Sequence, residues 1–289
     1  MSRAVLVAAI VLLASLAACA GPGNTPPAPR ATATPPVTAT ASPPSTVAPP
    51  VTSVDQHAPR GFVDLSDVDQ SILLDIRYYT DHNFVGRRID GYLEPRCLLT
   101  WEAAQALRKA QAAARAKGYS LKVYDCYRPM RAGEDFVAWA HRLGDQAMKA
   151  EFYPNVAKDA LFAEGYVGGA RTSHSRGTAV DLTIVKLPAK SQRPYQKGEP
   201  LTSCTAPARQ RFPDNTVDMG TGYDCFDARS HTLNPAITGT PRANRLLLRQ
   251  LMTDAGFVNY ANEWWHYDLA DAPNPHAYYD FPVARAALR

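Results

Sequence analysis

The sequence predicts an α+β domain carried behind an exported N-terminal segment, and three observations support this. Stretches with a helical apolar period and stretches with a two-residue alternation are interleaved without a regular βαβ order. A Pro/Thr/Ala-rich run separates all of them from a short apolar N-terminus. His, Asp, Glu and Arg residues gather at the ends of the extended stretches.

Residues 1–19 read as an export signal. Met1-Ser2-Arg3 is basic, Ala4 to Leu13 is apolar, and Leu16-Ala17-Ala18-Cys19 resembles a bacterial lipobox with Cys19 as the lipidated residue. The apolar run is too short to span a bilayer comfortably, so the expected membrane contact is a lipid anchor only. Residues 20–57 are dominated by Pro, Thr, Ala, Ser and Val without either period. Such a stretch cannot bury a core and is expected to be an extended, disordered tether, of which some 30 residues from Ala20 to about Thr52 would reach up to about 100 Å at ~3.1 Å per residue. The folded domain is then expected over 58–289.

With Cys19 in the anchor, Cys97, Cys126, Cys204 and Cys225 remain. An even number in an exported domain suggests two disulfides with three possible pairings. Spacing and neighbourhood favour Cys97–Cys126 and Cys204–Cys225; unpaired buried thiols are the alternative. No Cys-x-x-Cys pair exists, which argues against a zinc–cysteine site. A formal net charge of +4 with no dense Lys/Arg block argues against nucleic acid as a partner.

Thr100 is placed to cap a helix running to about Lys117, with Gly118 as its stop and Ala103, Leu107 and Ala114 on its inner side. The alternation from Tyr119 to Asp125 predicts a strand, and Arg131 to Leu143 a helix. After a loop from about Pro154 to Thr172, Ala179 to Val185 reads as a second strand. Ala243, Leu247, Leu248, Leu251 and Met252 form one stripe of a helix ending at Gly256. Phe257 to Tyr260 reads as extended.

Two segments carry candidate chemistry. In Ser173-His174-Ser175-Arg176-Gly177-Thr178-Ala179-Val180-Asp181, a Gly-containing turn can bring His174 and Asp181 together. Two of the three ligands of a catalytic zinc are thereby available, although an Asp–His hydrogen bond explains the pair equally well. In Glu263-Trp264-Trp265-His266, a carboxylate three residues before a histidine suits a base beside a metal ligand. In a straight strand those two residues face opposite ways, so the backbone must bend between them. Core packing is the plain reading for at least one of the two tryptophans. Arg128 sits in Asp125-Cys126-Tyr127-Arg128-Pro129 at a strand end, where a guanidinium can stabilise an oxyanion; taken alone, an Arg before Pro is more often at the surface.

In combination, His-x-x-Gly-x-Ala-x-Asp, then Glu-Trp-Trp-His, with Tyr-Arg-Pro upstream, resemble the VanX-type D-alanyl-D-alanine dipeptidases, zinc D,D-peptidases that share the hedgehog-domain fold. The resemblance runs from about Leu65 to Val283. It includes Asn83-Phe84, Asp90-Gly91-Tyr92, Gly165-Tyr166-Val167, Met219-Gly220, the segment from Asp227 to His231, and Tyr279-Asp280-Phe281-Pro282.

The resemblance implies a single domain with a central antiparallel sheet flanked by helices. It implies one Zn2+ on His174, Asp181 and His266, Glu263 as base and proton shuttle, and Arg128 at the tetrahedral intermediate. Tyr78, Tyr92 and Asp224 match positions around the amino end of the dipeptide, and Thr172 a Ser near its carboxylate. Asp125-Cys126-Tyr127 departs from the usual Asp-Gly-Tyr, in keeping with a disulfide acquired after export. The implied substrate is D-Ala-D-Ala or a peptidoglycan-derived peptide. The alternatives are a D,D- or L,D-carboxypeptidase trimming stem peptides and a non-catalytic wall-binding lipoprotein; the intact Glu263 speaks against the last. An exported enzyme acts on wall-derived peptides and does not reach the cytoplasmic dipeptide pool. The remaining histidines, His57, His82, His141, His231 and His276, read as surface or structural.

Overall fold

The computed structural model describes residues 55–289, so Cys19 and most of the proline-rich segment lie outside the described residues. Ala58 is the first buried residue, and its N–H donates to the Ala287 carbonyl at 2.8 Å, joining the two ends of the domain.

The elements in chain order are β1 (Phe62–Asp64), α1 (Leu65–Val68), β2 (Leu73–Leu74), β3 (Leu98–Thr100), α2 (Trp101–Ala116), β4 (Tyr119–Asp125), α3 (Met130–His141), α4 (Lys149–Phe152), β5 (Ala179–Lys186), α5 (Gly239–Asp254), β6 (Phe257–Asn259) and β7 (His266–Leu269). The main sheet has the order β2-β4-β5-β7-β6. It is antiparallel except at one edge, where the two-residue β2 runs parallel to β4. β1 and β3 form a small second antiparallel ladder.

Helix α2 begins and ends where its sequence signals lie. Thr100 caps it, its Oγ1 accepting the Ala103 N–H at 3.4 Å. Gly118 follows at φ +80°, the left-handed conformation that terminates helices at little cost only in glycine. Ala103, Leu107 and Ala114 are fully buried, and α2 packs against β4 and α5.

Helix α5 departs from the expected stripe. Leu248, Leu251 and Met252 are buried, but Ala243 is exposed and Arg245 is buried instead. Its guanidinium donates to the Met219 carbonyl at 2.6 Å and the His231 carbonyl at 2.8 Å, which is what permits a charged side chain inside. An apolar-stripe reading has no means of placing an arginine inward.

Opposite residues on adjacent strands share a face of the sheet. Leu121 lies opposite Ile184, Val123 opposite Leu182, and Val180 opposite Tyr267, so these six form one wholly apolar face. The other face carries Lys122, Thr183, Asp181 and His266 and is polar. A Leu107→Ala substitution on the inner side of α2 should cost about 2–5 kcal/mol, read as a lower urea midpoint with an unchanged slope.

Candidate active site

Asp181, in the middle strand, has Asp125 opposite it on one side and His266 on the other. Strict alternation would put Asp125 on the apolar face with Leu121 and Val123. The ladder slips by one residue between Val123 and Asp125. Tyr124 is the extra residue of this bulge, and the slip turns Asp125 onto the polar face beside Asp181.

His174 precedes β5 in a short 3-10 turn closed by Gly177 at φ +73°. A Cβ at Gly177 would lie 2.3 Å from the Phe62 ring, so both backbone and space demand glycine there. The His174 Nδ1–H donates to the Cys126 carbonyl at 2.7 Å, which turns Nε2 toward Asp181. On His266, Nδ1 faces Asp181, while Nε2 lies 3.4 Å from Asp268 Oδ2 and 3.5 Å from Ser173 Oγ.

The bend required between Glu263 and His266 is present. The Glu263 N–H donates to the Tyr260 carbonyl and the Tyr260 N–H to the His266 carbonyl, so β7 begins only at His266. Both tryptophans of that segment are core residues, and Trp264 Nε1 donates to Thr221 Oγ1 at 2.8 Å.

Glu263, Arg128, His174, Asp181 and His266 line one cavity of about 300 Å³ together with Tyr78, Thr172 and Asp224. Phe84, Phe136 and Phe226 supply its apolar wall, and residues 165–169 another side. Tyr78 donates to Asp224 Oδ2 at 2.8 Å. Asp224 itself takes φ +52°. Thr172 Oγ1 is buried without a hydrogen-bond partner. Tyr92 does not line the cavity: its hydroxyl donates to Asp125 Oδ1 at 2.6 Å, so it braces a site residue from behind. Arg128 donates through Nε to Asp125 Oδ2 at 2.9 Å and packs over the Tyr78 and Phe136 rings.

Burial and charge polarise these groups. Burial alone would raise the Asp181 carboxyl, but His174 and His266 hold it well below the usual range. Glu263 has its pKa raised by burial, with His266 partly opposing. Burial, reinforced by Asp181, pushes Asp224 well above the ordinary carboxylate range.

The donor set fits a zinc ion. Asp181 Oδ1 lies 3.3 Å from His174 Nε2 and 3.1 Å from His266 Nδ1, and the two nitrogens are 3.1 Å apart. Tetrahedral ligands at about 2.0–2.1 Å from zinc sit roughly 3.4 Å from one another, close to this spacing. Each histidine has its other nitrogen engaged elsewhere, as metal-bound imidazoles do. Among the described residues this is the one trio of His, Cys, Asp or Glu side chains found close enough together to hold a metal ion.

Residues 58–191 and 208–284 match the peptidase M15 family, described as D-ala-D-ala dipeptidase. The chain belongs to this family. The D-alanyl-D-alanine dipeptidases of Enterococcus faecium and of Streptomyces coelicolor are each 37% identical to it over 223 residues, 77% of this chain and 98% of theirs. That of Escherichia coli is 31% identical over 73% of this chain and 85% of its own. A solved vancomycin-resistance D,D-pentapeptidase in complex with Zn(II) aligns at TM-score 0.33 and 17% identity, covering 70% of this chain and 88% of that one.

Two features frame the site of this family member. Cys97 is bonded to Cys126, between Asp125 and Arg128, and Cys204 to Cys225, directly after Asp224. Cys204 lies in residues 192–207, which the family match skips. The residues that the sequence did not mark are Tyr223, whose hydroxyl reaches Asp181 Oδ2 at 3.0 Å, and Asp268. The two-residue period of β7 places Asp268 on the face of His266 and offered a signal; for Tyr223 there was none.

Beside the site, Asp75, Arg77, Lys122, Tyr124 and Asp214 form a buried ionic network, with Arg77 donating to Asp75 at 3.0 Å and to Asp214 at 2.8 Å. Burial would raise both carboxyls, but Arg77 and Lys122 hold them below the usual range. The unfolded chain therefore takes up protons first as pH falls below about 4, and the stability these pairs contribute is lost in that direction. The urea midpoint should drop between pH 5 and pH 3, and Asp75→Asn should flatten that slope while lowering stability at pH 7.

Proposed function

We propose that the protein is a zinc-dependent dipeptidase that hydrolyses D-alanyl-D-alanine to two D-alanines, working outside the cytoplasm on peptides released from the wall. The observation that carries this reading is the convergence of His174, Asp181 and His266 in one cavity with Glu263 and Arg128. Family membership and relatives named for this activity support it.

His174, Asp181 and His266 would hold the zinc, which when bound polarises a carbonyl and brings the pKa of a coordinated water to about 7. Glu263, with its raised affinity for a proton, accepts one from the attacking water and delivers it to the leaving amine. Burial opposes the charge of Arg128, but the Asp125 and Asp181 carboxylates beside it hold it protonated, and it donates to the oxygen on which negative charge develops. An ammonium beside Asp224 offsets the burial and the Asp181 charge that otherwise raise its carboxyl, which places Asp224 to meet the amino end of the substrate, and Thr172 offers its free hydroxyl to the carboxylate. A cavity of about 300 Å³ with aromatic walls suits a very small ligand, since sites for drug-sized molecules run from about 300 to 1,000 Å³.

The signal-like residues 1–19, with Cys19 as lipid anchor, and the tether at 20–57 support an extracytoplasmic location. The paired cysteines agree with an oxidising compartment.

Two measurements test the reading. Purified zinc-loaded protein is offered free D-Ala-D-Ala and its N-acetyl form; release of D-alanine from the free dipeptide alone is expected. Cleavage of the blocked peptide would instead make it a carboxypeptidase, and cleavage of neither would end the enzymatic reading. Glu263→Ala should keep stoichiometric zinc yet lose about 10²–10⁴-fold in kcat; near-normal turnover would remove Glu263 from the role of base.

A further inference from the structure

We infer that Tyr223 is a positioning residue for the metal centre, holding Asp181 so that only one of its oxygens is offered to the ion. The inference rests on the metal reading above and goes beyond it by giving a role to a side chain outside the cavity.

The two oxygens of Asp181 have different surroundings. Oδ1 is the one near both histidine nitrogens, at 3.3 and 3.1 Å. Oδ2 points away from them, accepting the Tyr223 hydroxyl at 3.0 Å, with Arg128 Nη2 further off at 3.5 Å. A carboxylate whose second oxygen accepts a hydrogen bond presents its first oxygen alone and in a fixed orientation. Arg128 is a poor candidate for this duty, since its shorter bond runs to Asp125.

Tyr223 is itself rigidly held. Its ring stacks on Tyr124 with centroids 4.3 Å apart and meets the Trp265 ring edge-on at 5.5 Å. Tyr124, the bulge residue, is fixed in turn by its hydroxyl on Asp214 Oδ2 at 2.6 Å. The Tyr223 hydroxyl also lies 3.3 Å from that of Tyr78, whose own proton goes to Asp224. One buried phenol thus touches the metal end and the ammonium end of the site. Its ring needs only packing, so the work assigned to it resides in a single hydroxyl.

The test is Tyr223→Phe in the full chain, which keeps the ring and deletes that hydroxyl. Zinc affinity is measured by competition with a chromophoric chelator, alongside the urea midpoint and steady-state kinetics at saturating zinc. The expected result is a zinc Kd raised about 10–100-fold, the range for losing a hydrogen-bond partner of a ligand. The KM for the dipeptide at saturating zinc should stay unchanged. In the cobalt(II)-loaded protein, weaker visible absorption is expected as Asp181 swings toward two-oxygen coordination. A Tyr223→Leu variant, lacking ring and hydroxyl, should show the same Kd change plus a lower urea midpoint. An unchanged zinc Kd and cobalt spectrum in Tyr223→Phe would overturn the inference, as would a Kd change seen only in Tyr223→Leu. Failure of the wild-type chain to bind one zinc would instead strike the metal reading itself, so the two failures are separable.

Discussion

Burying a carboxylate at the centre of a sheet is costly unless its charge is met on every side, and Asp181 is 2% exposed. Two histidines face one of its oxygens, while a tyrosine hydroxyl and an arginine face the other. Each partner comes from a different part of the chain: the turn before β5, strand β7, the end of β4, and the long segment between β5 and α5. The fold of the polar half of the domain is in this sense organised around a single negative charge, and a divalent cation is its natural complement.

That organisation explains why so much of the site could be read from the sequence. The candidate metal ligands and the candidate base sit in short local motifs, His174 to Asp181 and Glu263 to His266, whose combination carries the family resemblance. Helix α2 was equally legible, because Thr100 and Gly118 act within a few residues of the ends they define. The buried Arg245 and the supporting Tyr223 were not. Their partners are 14 and 26, and 42, residues away in sequence, and no local pattern encodes a contact at that distance. Tyr92 is an intermediate case: the resemblance placed it near the substrate's amino end, while its hydroxyl serves Asp125.

Cross-links reinforce the same residues. One disulfide fixes Cys126, whose carbonyl orients His174, and the other fixes Cys225, next to the left-handed Asp224. Covalent constraint is thus applied to the backbone adjoining the candidate site, where small displacements matter most. The segment carrying Cys204 also contains Tyr195, stacked on His82 at 4.4 Å, and Gln192, which donates to Asp75. The stretch that the family match skips is therefore packed against His82 and the ionic network of Asp75.

The bulge at Tyr124 gives β4 two reading frames. Before it, odd-numbered residues serve the apolar face; after it, an odd-numbered residue, Asp125, serves the polar one. One inserted residue lets a single strand contribute to the core along most of its length and to chemistry at its tip. Every residue of β4 after Tyr119 is buried, so both faces constrain substitution, and a one-residue deletion would in addition exchange inside for outside at Asp125. For a lineage exploring new sequences, length at this point is as constrained as identity.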